Sequence, residues 1–341
     1  MKKNKKILVT GGAGYIGAHA VVELAQAGYH PVIVDNLSRS DRTLLDGIEK
    51  ILGQKPVFHE GDCSDEQFLK KVFEAEKDIQ CAMHFAAYKS VGESVQLPTM
   101  YYSNNLNSLI GLVNVMRSFG VQDIIFSSSC TVYGQPDQIP VGEDAPIKHA
   151  ESPYGATKQM CERILEDVYP LGMRVVSLRY FNPIGAHPSA LLGELPIGVP
   201  NNLVPYITQT AIGKRPQLMI FGDDYNTPDG SCLRDFIHVV DLAQAHISAI
   251  EFLDRKEKTP LYNVFNVGTG VGASVLELVR KFQEVTDVKL NYAIGPRRPG
   301  DVEKTYADPA KAFQELQWEP KFSIEDGLLH AWHWEEKLAR R

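Results

Sequence analysis

Tyr154 and Lys158 stand four residues apart in Ser152-Pro153-Tyr154-Gly155-Ala156-Thr157-Lys158. In a helix, residues i and i+4 share a face, so the phenol and the ammonium are expected to point into one site. A tyrosine ordinarily keeps its proton until about pH 10, too late to act as a base at neutrality. A fixed positive charge beside it favours the phenolate and is expected to draw that value down. A serine-rich strand end, Phe126-Ser127-Ser128-Ser129, lies about one helix and loop upstream, and a glycine loop able to hold a dinucleotide opens the chain. Together these residues imply a proton-transfer site next to a nicotinamide.

The loop is Thr10-Gly11-Gly12-Ala13-Gly14-Tyr15-Ile16-Gly17, between a predicted strand and a predicted helix. Gly11, Gly14 and Gly17 have Gly-x-x-Gly-x-x-Gly spacing rather than the tighter Gly-x-Gly-x-x-Gly. The physical need is similar: a turn without Cβ clashes, backbone close to a pyrophosphate, and close packing of helix on strand. The helix N-terminus then faces the phosphates. Asp35, at the end of the second predicted strand, suits the ribose hydroxyls of NAD and would repel a 2′-phosphate. Arg39 and Arg42 lie close behind and could serve NADP, but a solvated loop is the simpler role for them. Asn36-Leu37-Ser38 matches a glycosylation acceptor, for which a cytosolic cofactor loop has no use.

These residues need a scaffold, and the first half of the chain predicts one. Strands are expected at 6–10, 31–35, 56–60, 81–85, 123–127 and 174–179, with helices at about 15–27, 41–52, 65–75, 98–119 and 153–169. Strands separated by helices of this length imply right-handed crossovers and an α/β fold with a doubly wound parallel (Rossmann) sheet. After Tyr180 the texture changes: 182–235 is rich in Pro, Gly and Asn, so regular structure there should be short. A strand-helix pattern returns from Arg234 to about Leu253, and the end from about 274 is mixed. The expected organisation is an NAD-binding Rossmann domain from 1–181 and 235–265. A smaller α/β substrate lobe would come from 182–234 and 266–341.

Composition bounds the function classes. The 341 residues are 44% apolar and 23% charged, ordinary for a soluble globular protein with a large core. A formal charge of −7 gives no support to nucleic-acid binding, which needs a basic face. It does not forbid an anionic ligand held by local arginines and helix ends. The basic start Met1-Lys2-Lys3-Asn4-Lys5-Lys6 is followed by too short an apolar run for a signal peptide, so it reads as a mature cytosolic start. No stretch of about 20 apolar residues offers a membrane span. Cys63, Cys81, Cys130, Cys161 and Cys232 are scattered, which argues for reduced thiols rather than a disulfide framework or structural zinc. Ten histidines show no ligand spacing, and no metal is expected.

A tyrosine and a lysine four apart is weak evidence alone. The joint order is specific: the glycine loop, Asp62, Phe85-Ala86-Ala87-Tyr88-Lys89, Asn104-Asn105, Ser127-Ser128-Ser129, then Tyr154 and Lys158. That order resembles the extended short-chain dehydrogenase/reductase superfamily. Longer words resemble its UDP-glucose 4-epimerase family, among them His84 to Ser94, Arg179 to Pro188, Pro200 to Tyr206 and Gly222-Asp223-Asp224-Tyr225. The resemblance runs from Ile7 to about Trp334.

It implies that Tyr154 takes the proton from a sugar 4′-hydroxyl while C4 gives a hydride to the nicotinamide. Lys158 would bind the nicotinamide ribose and, with the cationic ring, keep the phenol acidic; Ser129 would hydrogen-bond the 4′-oxygen. The 4-keto sugar would then turn over and take the hydride back on its other face, so NAD ends as it began. By position, Gly11, Gly14, Tyr15, Ile16, Gly17, Asp35, Asn36, Asp62, Cys63, Phe85, Ala86, Ala87, Lys89, Asn104, Ser129, Tyr154, Lys158 and Phe181 resemble cofactor contacts. Asn182, Asn202, Leu203, Arg234, Arg298, Asp301 and Thr305 resemble UDP-sugar contacts. Arg234 and Arg298 suit a pyrophosphate, although either alone is more often a surface ion-pair partner. His84, His187 and His238 are assigned to packing.

Three neighbouring readings compete with this one. A nucleotide-sugar 4,6-dehydratase shares the oxidation but needs an Asp-Glu pair directly after the hydroxyl residue, and a decarboxylase likewise wants an acid there. Here the stretch is Ser129-Cys130-Thr131, without a carboxylate. A redox-sensing binding protein that keeps NAD should lack the Tyr-Lys pair or the sugar pocket. Relatives restricted to UDP-glucose and UDP-galactose often carry a tyrosine four residues after the Asp of the Arg-x-Gly-Asp word, and here Thr305 stands there, with Tyr306 next door. The smaller side chain predicts room for a 2-acetamido group. The helices at about 98–119 and 153–169 are those through which the family pairs, so a homodimer is expected by analogy, although their apolar positions could equally be core.

Overall fold

Parallel strands joined by helices lay down the central sheet, seen in a computed structural model that describes residues 4–298 and 302–340. Its first part runs β1 Lys6–Thr10, α1 Tyr15–Gln26, β2 His30–Asp35, α2 Arg42–Leu52, β3 Val57–Glu60, α3 Glu66–Ala75 and β4 Ile79–His84. Then come α4 Val91–Gln96, α5 Pro98–Ser118, β5 Asp123–Ser129, α6 Pro153–Val168 and β6 Arg174–Tyr180. The chain continues through β7 Asn182–Ile184, α7 Leu203–Ala211, β8 Leu218–Phe221, β9 Leu233–His238, α8 Val239–Arg255 and β10 Leu261–Val267. It finishes with β11 Gly272–Ser274, α9 Val275–Thr286, β12 Tyr292–Gly295, β13 Lys304–Thr305 and α10 Ile324–Ala339.

Seven parallel strands form the sheet in the order β10-β6-β5-β4-β1-β2-β3. Every residue of β5 and β6 is buried, as strands covered on both faces must be. Apolar clusters fill both faces, one built on Ile7, Val9, Ile33 and Phe265, the other on Leu8, Val32, Ile124 and Val175. Side chains cap the helices where turn formers precede them: Asp41 for α2, Asp65 for α3, Ser90 for α4 and Ser152 for α6.

The strand order reverses between β1 and β4, which opens a crevice at the carboxyl ends of those two neighbours. The register aligns Thr10 with His84, His84 with Phe126, and Ser129 with Tyr180. The glycine loop, the 85–89 segment, the serines and Phe181 therefore emerge along one edge.

β5 extends to Ser129, two residues beyond the expected end, because its serines pair with Leu178, Arg179 and Tyr180. The seventh strand, β10, has no counterpart among the predicted strands. Its LYNVFNV carries two asparagines, a poor strand signal. Asn266 is tolerated at 0% exposure because its amide donates to the Val141 carbonyl and its Oδ1 accepts from the Tyr133 hydroxyl.

Beyond Tyr180 the strands are short. β9 gathers β7, β11 and β13 around it, and β8 pairs with β12. A third apolar cluster, with Ile184, Ile207, Phe236, Leu278, Phe282 and Leu328, packs these against α7, α9 and α10. Ser274 and Ser323 start α9 and α10 with reciprocal capping boxes. No helix of the described residues is long and apolar enough to cross a membrane.

Candidate active site

Ser152 accepts from the Gly155 N–H and Pro153 opens α6, which fixes the register of the helix two residues before its functional face begins. Lys158 is buried, with its ammonium 5.9 Å from the Tyr154 ring and 4.9 Å from the Phe126 ring. It donates to the Ser127 carbonyl at 2.6 Å, which ties α6 to the carboxyl end of β5. Ser129 ends that strand, and its Oγ accepts from the Thr131 N–H at 3.3 Å and the Thr131 hydroxyl at 3.0 Å. The phenol, the ammonium and the serine hydroxyl are thus brought to one place by two neighbouring elements.

The electrostatics differ from expectation. Burial pushes the Tyr154 phenol up to about 12; the Ser129 hydroxyl lowers it, but by less. Burial also pulls Lys158 down to about 8, against the opposing pull of Cys161 and Glu162. The phenol is raised rather than lowered because desolvation outweighs the hydrogen bond with Ser129. Tyr154 keeps part of its surface open to the crevice, so a ligand can reach it.

A buried polar network backs this cluster. Glu162, one turn beyond Lys158, accepts from Ser128 Oγ at 2.5 Å and from Arg179 at 2.6 and 2.9 Å. Arg179 also donates to the Tyr133 hydroxyl at 3.0 Å. Asn105 accepts from the Tyr88 N–H at 2.8 Å and donates to Thr157 Oγ1 at 3.0 Å, clamping the segment after β4 to α6. Sequence reading assigned Asn105, Glu162 and Arg179 no site role. The one available signal was the spacing Tyr154, Lys158, Glu162, which continues a single helical face.

The glycine loop fits a dinucleotide. A Cβ on Gly11 would come within 2.7 Å of the Ala86 nitrogen, and one on Gly17 would run into the Gly11 carbonyl. Gly11 holds a φ of 71°, in the region that favours glycine. Gly14 starts α1 with no side-chain cap, so the first N–H groups of the helix are left for an anion. At the end of β2, Asp35 accepts from the Ala13 and Leu37 N–H groups and the Ser40 hydroxyl, which locks its carboxylate beside the loop. Asn36 donates to Asp62 at 3.1 Å, so these two meet next to it. Cys63 is buried next to Asp62, and its thiol is pushed up to about 12, chiefly by burial.

Phe85 and Ala86 abut Gly11, Ala87 follows them, and the Lys89 ammonium lies 5.7 Å from the Tyr15 ring at the start of α1. Ile16 packs on the core, Asn104 donates to Asn105, and Phe181 is buried just past β6. Arg39 pairs with Glu93 over the Tyr88 ring, and Arg42 pairs with Glu60. Both arginines are thereby committed to surface ion pairs. His84 and His238 are buried and pushed down to about 3, mainly by burial, so they pack as neutral rings.

On the other wall, Asn182 opens β7 with its Oδ1 buried and unbonded among the described residues, an acceptor suited to a ligand donor. Asn202 precedes α7 and Leu203 begins it, with no side chain capping that helix. Arg234 pairs in register with Thr305 across β9 and β13, and its charge reaches Cys130, the neighbour of Ser129. Arg298 lies 5.7 Å from the ring of Phe221, an exposed aromatic that sequence reading did not single out. Asp301 lies outside the described residues. Tyr306 has its ring against Gly272, where a Cβ would meet it at 2.9 Å, and its carbonyl accepts from the Val141 N–H.

Residues 8–330 match the family model described as GDP-mannose 4,6 dehydratase. The chain is similar to a UDP-glucose 4-epimerase of Dictyostelium discoideum, 49% identical and covering 97% of this chain and 95% of that one. It is also similar to the structure of a UDP-glucose 4-epimerase from Stenotrophomonas maltophila with bound NAD and formylated UDP-arabinopyranose, at a TM-score of 0.95 and 44% identity over 99% of each chain. A UDP-Glc/GlcNAc 4-epimerase from Campylobacter jejuni aligns at a TM-score of 0.83 and 37% identity, covering 98% of this chain and 100% of that one.

Proposed function

The chain belongs to the UDP-glucose 4-epimerase family, and on that footing we propose that Tyr154 is its acid–base residue, with Ser129 and Lys158 beside it. The protein is an NAD-dependent isomerase that inverts C4 of a UDP-hexose through a 4-keto sugar. NAD, when bound, supplies a two-electron acceptor for C4, which later returns the electrons, and a positive ring.

Tyr154 takes the 4′-hydroxyl proton in the oxidation and returns it to the 4′-oxygen in the reduction. One group thus serves both directions, and no water need enter. Ser129 donates to the 4′-oxygen as charge gathers there, and Lys158 holds a buried cation beside it. Burial holds the phenol at about 12, so taking the proton in the oxidation requires positive charge beyond that of Lys158. The observation that carries this reading is the meeting of phenol, ammonium and serine hydroxyl at the sheet edge next to a side-chain-free helix N-terminus. The dehydratase alternative finds no support at Cys130 and Thr131, which begin a tight turn after Ser129 and carry no carboxylate.

The coenzyme is assigned to the glycine loop with Asp35, Asn36, Asp62, the 85–89 segment and Phe181. The UDP-sugar is assigned to Asn182, Asn202, Leu203, Arg234, Arg298, Asp301 and Thr305. Phe221 joins that set, because an exposed ring beside a guanidinium suits a stacked planar base. The same division assigns 1–181 and 235–265 to an NAD domain, with 182–234 and 266–341 forming the sugar-nucleotide lobe. β9 straddles it: its strand lies in the smaller sheet while α8 packs on α1.

Thr305 gives the site a wider substrate range. Its neighbour Tyr306 has its ring held against Gly272, so Tyr306 does not fill the space a tyrosine at 305 would take. Incubation without added NAD is expected to interconvert both UDP-glucose with UDP-galactose and UDP-N-acetylglucosamine with UDP-N-acetylgalactosamine. Thr305→Tyr should keep the first activity and lower the second at least about tenfold. A wild-type enzyme silent toward both acetamido sugars overturns the wider range, and one silent toward all four overturns the epimerase assignment.

A homodimer is proposed through α5 and α6, which pack together and leave Ile110 and Met160 exposed on their outer faces. Sedimentation should give about twice the chain mass, and Ile110→Asp with Met160→Asp should shift it to one chain; a wild-type monomer removes the proposal. A cytosolic location is proposed on the five free thiols.

A further inference from the structure

Residues 185–202 cross between the two halves of the molecule, and their backbone is pinned on both sides. Ala186 bridges Gly193, and the His187 N–H donates to the Leu192 carbonyl at 2.8 Å. Leu192 is buried in the core of the large sheet, and Gly47 of α2 lies so close to the Leu191 carbonyl that a Cβ would not fit. On the other side, Gly193 meets the ring of Trp334 in α10, whose Nε1 donates to the Glu194 carbonyl at 2.9 Å. Glu194 is therefore fixed at a seam.

Its side chain is only 11% exposed, and one oxygen, Oε1, receives two donors. The Lys89 ammonium reaches it at 2.9 Å and the Asn202 amide at 2.6 Å. Lys89 comes from the segment that packs on the glycine loop and lies near the start of α1. Asn202 stands at the N-cap of α7, yet its side chain does not cap that helix; it turns to Glu194 instead. A residue type that ordinarily caps is here spent on a carboxylate, which leaves the N-terminus of α7 without a side-chain acceptor.

We propose that Glu194 is a positioning residue that couples the coenzyme side of the site to the nucleotide-sugar side. It holds Lys89 and Asn202 on one oxygen before either meets a ligand. The inference rests on the assignment of Lys89 to the coenzyme and Asn202 to the UDP-sugar made above. Two side chains ordered in advance lose less freedom on binding, so affinity rather than the chemical step should depend on Glu194.

Calorimetric titration of UDP into the purified holoenzyme tests this, together with the NAD content retained after dialysis. Glu194→Ala should weaken UDP binding about tenfold and raise KM for UDP-galactose in parallel, with kcat within about threefold of wild type. Glu194→Gln keeps an acceptor for the Asn202 amide but loses the charge facing Lys89. It should recover UDP affinity to within about threefold while still losing NAD on dialysis. Wild-type UDP affinity in Glu194→Ala, or no recovery in Glu194→Gln, overturns the proposal. Should Glu194→Ala fail to fold, Lys89→Met and Asn202→Ala form a double-mutant cycle: non-additive losses of UDP affinity support a shared anchor, and additive ones refute it. A wild-type protein that turns over UDP-galactose while the Glu194 variants match it in UDP affinity would sink this inference alone.

Discussion

Tyr154→Phe is expected to lower kcat for UDP-galactose by about a thousandfold or more, with UDP affinity and NAD content unchanged. The substitution removes one oxygen and keeps the ring, so the packing of α6 on β5 and the contact with the Lys158 ammonium persist. What is lost is the only group proposed to carry the proton both from and to the 4′-oxygen. Water is a poor substitute in a crevice whose neighbours Ser127, Ser129 and Lys158 are buried. Steady-state turnover with a coupled assay measures the loss, and NAD content with UDP titration separates it from a binding defect. Turnover within tenfold of wild type would transfer the proton role elsewhere and dismantle the mechanism.

The residues that such a variant interrogates were largely legible in the chain, and the reason is local. Tyr154 and Lys158 lie on one helix, Ser129 ends one strand, and the glycines form one turn, so i+4 spacing and turn chemistry were enough to find them. Most strands of the large sheet were legible for a related reason: they are short runs between helices, and those buried on both faces, such as β6, leave little ambiguity. β10 escaped because its buried Asn266 is satisfied by Tyr133 and Val141, more than a hundred residues away. β7, β11 and β13 escaped because strands of two or three residues exist only through their pairing with β9. Glu194 escaped because Lys89, one of its two donors, comes from a segment more than a hundred residues away. The misjudged electrostatics have a different origin. Spacing shows that a cation stands beside the phenol, but the outcome is set by desolvation, which depends on the whole surrounding wall.

That same desolvation makes a second result measurable without any substrate. Lys158 is buried and its folded-state value is about 8, against an ordinary 10.5. Between those two values the unfolded chain holds a proton that the folded chain has released, so this residue makes folding more favourable as pH rises through that window. Below about pH 8 both states are charged and the folded protein carries the full cost of a buried ammonium, on the order of 3 kcal/mol. Lys158→Met keeps the apolar stem and has no such cost, although it gives up the hydrogen bond to the Ser127 carbonyl, worth about 1 kcal/mol. At pH 7 the variant is therefore expected to be more stable than wild type by about 2 kcal/mol. The advantage should shrink as pH rises above 8 and reverse slightly near 10.5, where only the lost hydrogen bond remains. Its kcat should nonetheless fall by about a hundredfold to a thousandfold, because no cation is left beside the phenol. Urea unfolding of both proteins at pH 7, 9 and 10.5, read as a difference so that other titrating groups cancel, gives the first curve; steady-state kinetics gives the second. A variant less stable than wild type at pH 7, or a difference that does not change with pH, would mean that the ammonium is hydrated in the folded protein. The site would then lack the dry cation proposed to steady the charge that gathers on the 4′-oxygen.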